Sequence, residues 1–315
     1  MADQSSGISD ETIDGSERIT LAQSSMRSGT SGPFDLSGAT IPRNEIVSGG
    51  PPKDGIPALS TPEFIAATKA TYLGSQDRVI GFSRGQEARA YPLKILNYHE
   101  IVNDRVGGAP VAITYCPLCD SAAVFDRRTS LGEREFGVSG LLYNSNVLMY
   151  DRSGQVDSLW SQVKAEGVSG PGAKTKLKAL PLQLTTWSDW VARYPETLVL
   201  SPQTGHARNY DRDPYAGYFH RPQLMFPARP TSDRLPTKER VLGVWTDGVA
   251  RAYPVSAFGT DRRQIVQEID GKRVVIEFDP TAQSLRVADA EEGVECMYSL
   301  WFAWHAFRPQ TEVFQ

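Results

Sequence analysis

A chain of 315 residues, 40% hydrophobic and 22% charged, has the length of about two domains and enough apolar residues to bury a core. A formal charge of -4, with arginines scattered and no basic run of five or more, sets nucleic acid aside as a partner. No stretch approaches the roughly 18 consecutive apolar residues of a membrane span, and the first residues lack the basic and apolar regions of a secretory signal. The expectation is a cytoplasmic protein with no membrane span.

Residues 1–33 are rich in Ser, Gly and Asp and poor in aromatics. They bury too little surface to offset ordering entropy, which predicts a disordered tail. Residues 34–77 read as an extended arm, kept open by Gly49-Gly50-Pro51-Pro52. A short helix is predicted after a Ser60/Thr61 cap, with Pro62 and Glu63 in its first turn and Phe64, Ile65 and Ala67 following.

A repeat comes next. Arg78-Val79-Ile80-Gly81 is echoed by Arg240-Val241-Leu242-Gly243, and Ala88-Arg89-Ala90-Tyr91-Pro92 returns letter for letter as Ala250-Arg251-Ala252-Tyr253-Pro254. Val111–Pro117 aligns with Val274–Pro280, and Val124-Phe125-Asp126 with Val287-Ala288-Asp289. Trp187, Trp190, Pro195, Thr197 and Val199 match Trp301, Trp304, Pro309, Thr311 and Val313. Five blocks in one order predict an internal duplication. Residues 78–200 form the first copy and 240–315 a degenerate second, joined by a Pro-, Arg- and Tyr-rich linker over 201–239.

The unit alternates apolar and polar residues at period two, as in Val111, Ile113 and Tyr115 or Val274, Ile276 and Phe278, which predicts half-buried strands. Asp270-Gly271 and Gly107-Gly108 are hairpin turns, and the paired tryptophans have helical spacing. The fold class is therefore α+β and β-rich: a duplicated antiparallel sheet with a covering helix. Arg89, Tyr91 and Asp126, repeated in the second copy, read as scaffold.

Cys116-Pro117-Leu118-Cys119 holds two of the three cysteines, and the second copy has Asp279-Pro280-Thr281-Ala282 in its place. The turn folds without thiols, so the thiols call for another reason. Two sulfurs converging on one point suit a soft or borderline cation. His99 is the nearest third ligand, with Met149, Tyr143 or His305 as candidates for a fourth. Two thiolates and one imidazole leave a position open, as catalytic sites do. Thiol–disulfide exchange is the rival reading, weakened because the residues after Cys119 pattern as a strand rather than a helix. Cys296, in an apolar context, reads as a buried structural thiol. His206 and His220 read as surface or packing residues.

Only the first copy carries an insertion, residues 136–152, which reads either as an extra hairpin or as a flap over the cysteines. As a flap, Tyr143 and Asn144, with Ser139 and Ser145, offer hydrogen bonds to a substrate, while Asp151 and Arg152 fix the flap or orient His99. Trp160 is the tryptophan expected to line a pocket.

Gly49–Pro57, Tyr115–Cys119, Val124–Arg127, Gly137–Ser145, Met149–Arg152 and Leu159–Gln162 together resemble a large family of bacterial and archaeal proteins catalogued as a domain of unknown function. The resemblance covers about residues 40 to 315. Many of its members are exported, which this chain departs from, and many have Gly where this one has Asp120. It implies that the cysteine region matters and brings no reaction with it. The residues point to a metal-binding protein, an oxidoreductase using copper or, failing that, zinc or iron at Cys116, Cys119 and His99, acting on a small molecule or peptide. A thiol–disulfide oxidoreductase and a non-catalytic metal carrier stand as alternatives.

Overall fold

The structure, a computed structural model, describes residues 34–152 and 156–315; the tail predicted over 1–33 lies outside the described residues. The arm carries β1 (Val47–Ser48) and β2 (Phe64–Ala66). Then come β3 (Arg78–Arg84), β4 (Glu87–Pro92), helix α1 (Leu93–His99), β5 (Ile101–Val106), β6 (Ala109–Cys116) and β7 (Ser121–Asp126). A small hairpin, β8 (Arg128–Thr129) and β9 (Gly132–Glu133), leads to β10 (Phe136–Tyr143), β11 (Asn146–Asp151), β12 (Leu159–Ser161) and β13 (Glu166–Ser169). β14 (Ala179–Leu180), β15 (Gln183–Thr186), α2 (Trp187–Arg193) and β16 (Leu198–Leu200) close the first half. The crossing segment holds one turn of helix, α3 (Ala216–Phe219). The second half runs β17 (Arg240–Trp245), β18 (Ala250–Pro254), β19 (Arg263–Ile269), β20 (Lys272–Asp279), β21 (Ser284–Ala290), β22 (Glu295–Leu300), α4 (Trp301–Phe307) and β23 (Glu312–Val313). The molecule is β-rich with short covering helices, in line with the α+β expectation.

The helix predicted after Ser60 is not formed. Phe64–Ala66 is instead an edge strand antiparallel to Leu198–Leu200, followed by a 3₁₀ turn over Ala67–Lys69. A stretch this short cannot hold an isolated helix, and the sheet edge supplies the backbone partners it lacks.

Two hairpins have the same surroundings. β3–β4 is flanked by antiparallel β15 and parallel β16; β17–β18 is flanked by antiparallel β22 and parallel β23. In each, one glycine makes room for a tryptophan of the covering helix. A Cβ on Gly81 would lie 2.2 Å from Trp190, and one on Gly243 would lie 2.2 Å from Trp304. Trp190 Nε1 donates to Thr197 Oγ1 at 2.9 Å, and Trp304 Nε1 to Thr311 Oγ1 at 2.9 Å.

The strands that follow each hairpin cross over. β5, β6 and β7 continue the sheet of the second half, joining it where Ala122 pairs with Tyr298. β19, β20 and β21 form a separate sheet that reaches the first half through Ser284 and Thr185. One core lies on the face holding Cys116, Cys119, Trp160, Trp301 and Trp304; the other holds Ile80, Tyr91, Ile113, Leu242 and Tyr253. Among the described residues no helix is long and apolar enough to cross a membrane.

Candidate functional site

The cysteine turn joins β6 to β7. Cys119 N closes it on Cys116 O at 3.2 Å, and Asp120 completes it in the left-handed region at φ 44°, which Asp tolerates better than most residues. Two anchors hold the turn to the second half. Leu300 N donates to Cys119 O at 2.7 Å. The Asp120 carboxylate takes Arg78 Nη1 at 2.9 Å, Tyr115 Oη at 2.9 Å and Arg240 Nε at 3.1 Å. Burial works to raise the Asp120 pKa, but Arg78 and then Arg240 outweigh it and hold the carboxyl below its usual value.

Both thiols are buried and unjoined. Their shared acceptor is the Ser145 carbonyl, 3.1 Å from Cys119 Sγ and 3.8 Å from Cys116 Sγ. Burial, reinforced by the neighbouring Cys116, pushes the Cys119 thiol well above its ordinary value. Cys119 is thus a buried hydrogen-bond donor, the opposite of an activated thiolate.

Ser145 sits at the tip of the inserted hairpin. Asn144 and Ser145, at φ 50° and 60°, make the two-residue turn between β10 and β11. The crossing segment latches this tip. Ser145 Oγ donates to Phe226 O, Asn144 Nδ2 donates to Arg229 O at 3.0 Å, and Arg229 N donates to Asn144 Oδ1 at 2.9 Å. Lys238, at the end of the same segment, ties it back on itself, donating to the carbonyls of Tyr218 at 2.6 Å and Gln223 at 3.0 Å. The Tyr218 phenol is buried near the thiols and the Met225 backbone. Behind the turn, Gln162 accepts from Ser121 Oγ at 2.6 Å and Asn146 Nδ2 at 2.9 Å and donates to Thr114 Oγ1 at 2.9 Å, so this buried polar group is satisfied.

Above the turn the arm, the hairpin and the crossing segment enclose an apolar cleft. It holds about 560 Å³ of atom-free space, part of it open to solvent, with Leu118 of the cysteine turn in its wall. Ile56 comes from the arm, Leu142 and Val147 from the hairpin, and Met225 and Phe226 from the crossing segment. Gly140, at φ 78°, lets the arm close on the hairpin, since a Cβ there would lie 2.2 Å from Pro51 O.

The expected metal centre is not formed. Among the described residues no group of three or more His, Cys, Asp or Glu side chains could hold a metal ion. In strand register His99 would fall level with Cys116, but Glu100, at φ 57°, turns the chain. The His99 ring lodges elsewhere, with Nδ1 2.7 Å from Pro57 O and Nε2 2.6 Å from Tyr210 Oη. Both nitrogens are thus committed to oxygen partners, and Cys116 and Cys119 are left as two thiols around a carbonyl. This overturns the copper oxidoreductase reading and the carrier reading that used the same ligands. The thiol–disulfide alternative gains no support either, since Cys116 and Cys119 are buried and unjoined and burial raises the Cys119 pKa.

Tyr143, Asn144, Asp151 and Arg152 are not brought together. Tyr143 packs edge-on against Phe307, and Asn144 is spent on Arg229. Asp151 and Arg152 stand at the other end of β11, roughly 16 Å from the tip at the rise of a strand. Asp151 accepts from Ser158 N at 2.7 Å, and Arg152 binds Glu135 at 2.7 Å and Asp54 at 3.1 Å, fastening the arm. His305 packs at a tilt against Trp301, and Trp160 is fully buried in the core against Phe136.

Residues 53–297 match the family described as Protein of unknown function (DUF3179). The chain belongs to this family. No curated protein and no solved structure matches it.

Several residues of this DUF3179 chain that shape the site escape a reading of its sequence. Arg78 and Arg240 occupy equivalent places in the two halves, and that equivalence was the available signal that both could converge on one carboxylate. Gln162 and Asn146 lie in the conspicuous runs Leu159–Gln162 and Tyr143–Asn146. Tyr210, Tyr218 and Lys238 lie in the crossing segment, where no periodicity marks them.

Proposed function

We propose that this chain is a ligand-binding protein whose site is the apolar cleft over the cysteine turn, and that the ligand is a small molecule with an apolar body. The observation that carries the reading is that four segments far apart in sequence meet at one apolar concavity. In this reading the hairpin tip is a fixed wall, and the two thiols and the Gln162 network hold the floor.

The matching hairpin surroundings and the paired glycine–tryptophan contacts support a second inference. Residues 78–200 and 240–315 are two copies of one unit, and the copy with the insertion has acquired the cleft.

The test is a fluorescence titration with N-phenyl-1-naphthylamine, a neutral apolar probe. Wild type gives a saturable rise. Leu118→Trp and Met225→Trp, each filling the cleft from a different segment, weaken binding about ten-fold or more with unchanged unfolding midpoints. A non-saturable response, or both variants binding like wild type, overturns the reading.

A further inference from the structure

The arm covers a second cleft on the far side of Pro57, polar where the first is apolar. It holds about 510 Å³ of atom-free space, part of it open to solvent, and Ser60, Thr61, Glu63, Thr204 and His206 stand in its lining. Behind it runs a chain of hydrogen bonds whose direction follows from chemistry alone. The Pro57 carbonyl can only accept, so His99 Nδ1 carries the proton at 2.7 Å. In the neutral ring Nε2 is then a lone pair, and Tyr210 Oη, 2.6 Å away, must donate to it. Tyr210 has spent its one hydrogen, so Thr204 Oγ1, 2.6 Å further on, must donate to Tyr210. The Thr204 hydroxyl has then spent its own hydrogen, and it also receives the His206 amide at 3.3 Å. Burial keeps His99 neutral by pulling its pKa down to about 4, with His206 and Arg208 adding to the effect against the Pro57 bond.

The Thr204 hydroxyl thus has no hydrogen left to donate and one lone pair left to accept. Ser60 is unavailable as a donor, since its hydroxyl donates to Glu135 Oε1 at 2.6 Å and receives Arg152 Nη1 at 2.9 Å. The carboxylate in the lining is that of Glu63, which is exposed and has no ion-pair partner among the described residues. A site built from a carboxylate and an oriented acceptor selects a cation that carries several N–H donors.

We propose that this cleft binds a small primary-ammonium compound, held by the Glu63 carboxylate and Thr204 Oγ1, with Tyr210 and His99 as positioning residues that fix the polarity of the Thr204 hydroxyl. The site is independent of the apolar cleft, because it uses none of that cleft's side chains.

The experiment is calorimetric titration of the purified chain with propylammonium chloride. Tetramethylammonium, equal in charge but without N–H donors, and propanol, a neutral donor, are the comparison probes. Propylammonium binds saturably and about ten-fold or more tighter than either comparison. Glu63→Gln and Thr204→Val each weaken it about ten-fold, Thr204→Ser keeps wild-type affinity, and all three retain the wild-type unfolding midpoint. Tyr210→Phe frees the Thr204 hydroxyl to donate, so the preference for propylammonium over propanol narrows, a change that a purely structural tyrosine would not produce. No saturable binding by wild type, equal binding of tetramethylammonium, or full binding by both Glu63→Gln and Thr204→Val overturns the proposal.

Discussion

His99 illustrates how much a single buried side chain can decide. Its ring is closed off from solvent, and its pKa is lowered from the ordinary 6.5 to about 4, mainly by burial. The unfolded chain therefore takes up a proton at a higher pH than the folded chain. The stability that this depression represents is fully present above pH 6.5 and is lost as pH falls towards 4. Between pH 7 and pH 5 the loss from this group is about 2 kcal/mol. His99→Gln, which cannot titrate, should lose about that much less than wild type over the same interval in urea unfolding at the two pH values. Equal losses would show that the ring titrates freely. In the sequence His99 was legible as a special residue but not as to partner. Its register with Cys116 is visible in strand spacing, whereas its true partners, Pro57 and Tyr210, lie 42 and 111 positions away. The same is true of Asn144 and Ser145. Their side chains are of the type that greets a ligand, and they are spent on carbonyls more than 80 residues on, which no local pattern reveals.

Among the elements, those with strong periodicity or marked turns were readable. The tryptophan pairs predicted α2 and α4, and Gly107-Gly108 and Asp270-Gly271 predicted the turns before β6 and β20, where all four residues have positive φ. The Cys-Pro-Leu-Cys turn was readable too, and Asp279-Pro280-Thr281-Ala282 turns the chain between β20 and β21 without sulfur. The arm was misread at Phe64–Ala66 because its choice between helix and strand is made by β16, far along the chain. Helix-on-sheet packing yields a direct prediction. Gly81→Ala and Gly243→Ala each push a methyl into a fully buried tryptophan ring, and overpacking of this kind costs about 3 kcal/mol. Equilibrium denaturation measures it, and a cost near zero for both would mean that the helices shift freely on their sheets.

At the scale of the molecule, the two halves are fastened at Asp120. Arg78 begins the first hairpin, Arg240 begins the second, and both reach one buried carboxylate. Asp120→Asn keeps the side-chain size and the tolerance for positive φ while removing the charge. Because Arg240 is half exposed and Arg78 partly so, the expected loss is nearer about 2 kcal/mol than the 3–5 kcal/mol of a fully buried pair. Urea unfolding would measure it, and a variant as stable as wild type would mean that the halves dock without the clasp. The arginines were legible as repeated residues; their convergence was not, because it needs the crossing of strands between halves.

That crossing also has a consequence in time. Ala122 and its partner Tyr298 are 176 residues apart, and so nearly are Cys119 and Leu300, whose amide caps the turn. At a synthesis rate of about 5–20 residues per second, the ribosome takes roughly 9–35 s to supply the later strand. Throughout that interval the nascent first half carries an unfinished sheet edge, and its cysteine turn lacks the Leu300 cap. The thiols most deeply enclosed in the finished protein are thus among the parts of the chain whose enclosure is completed last.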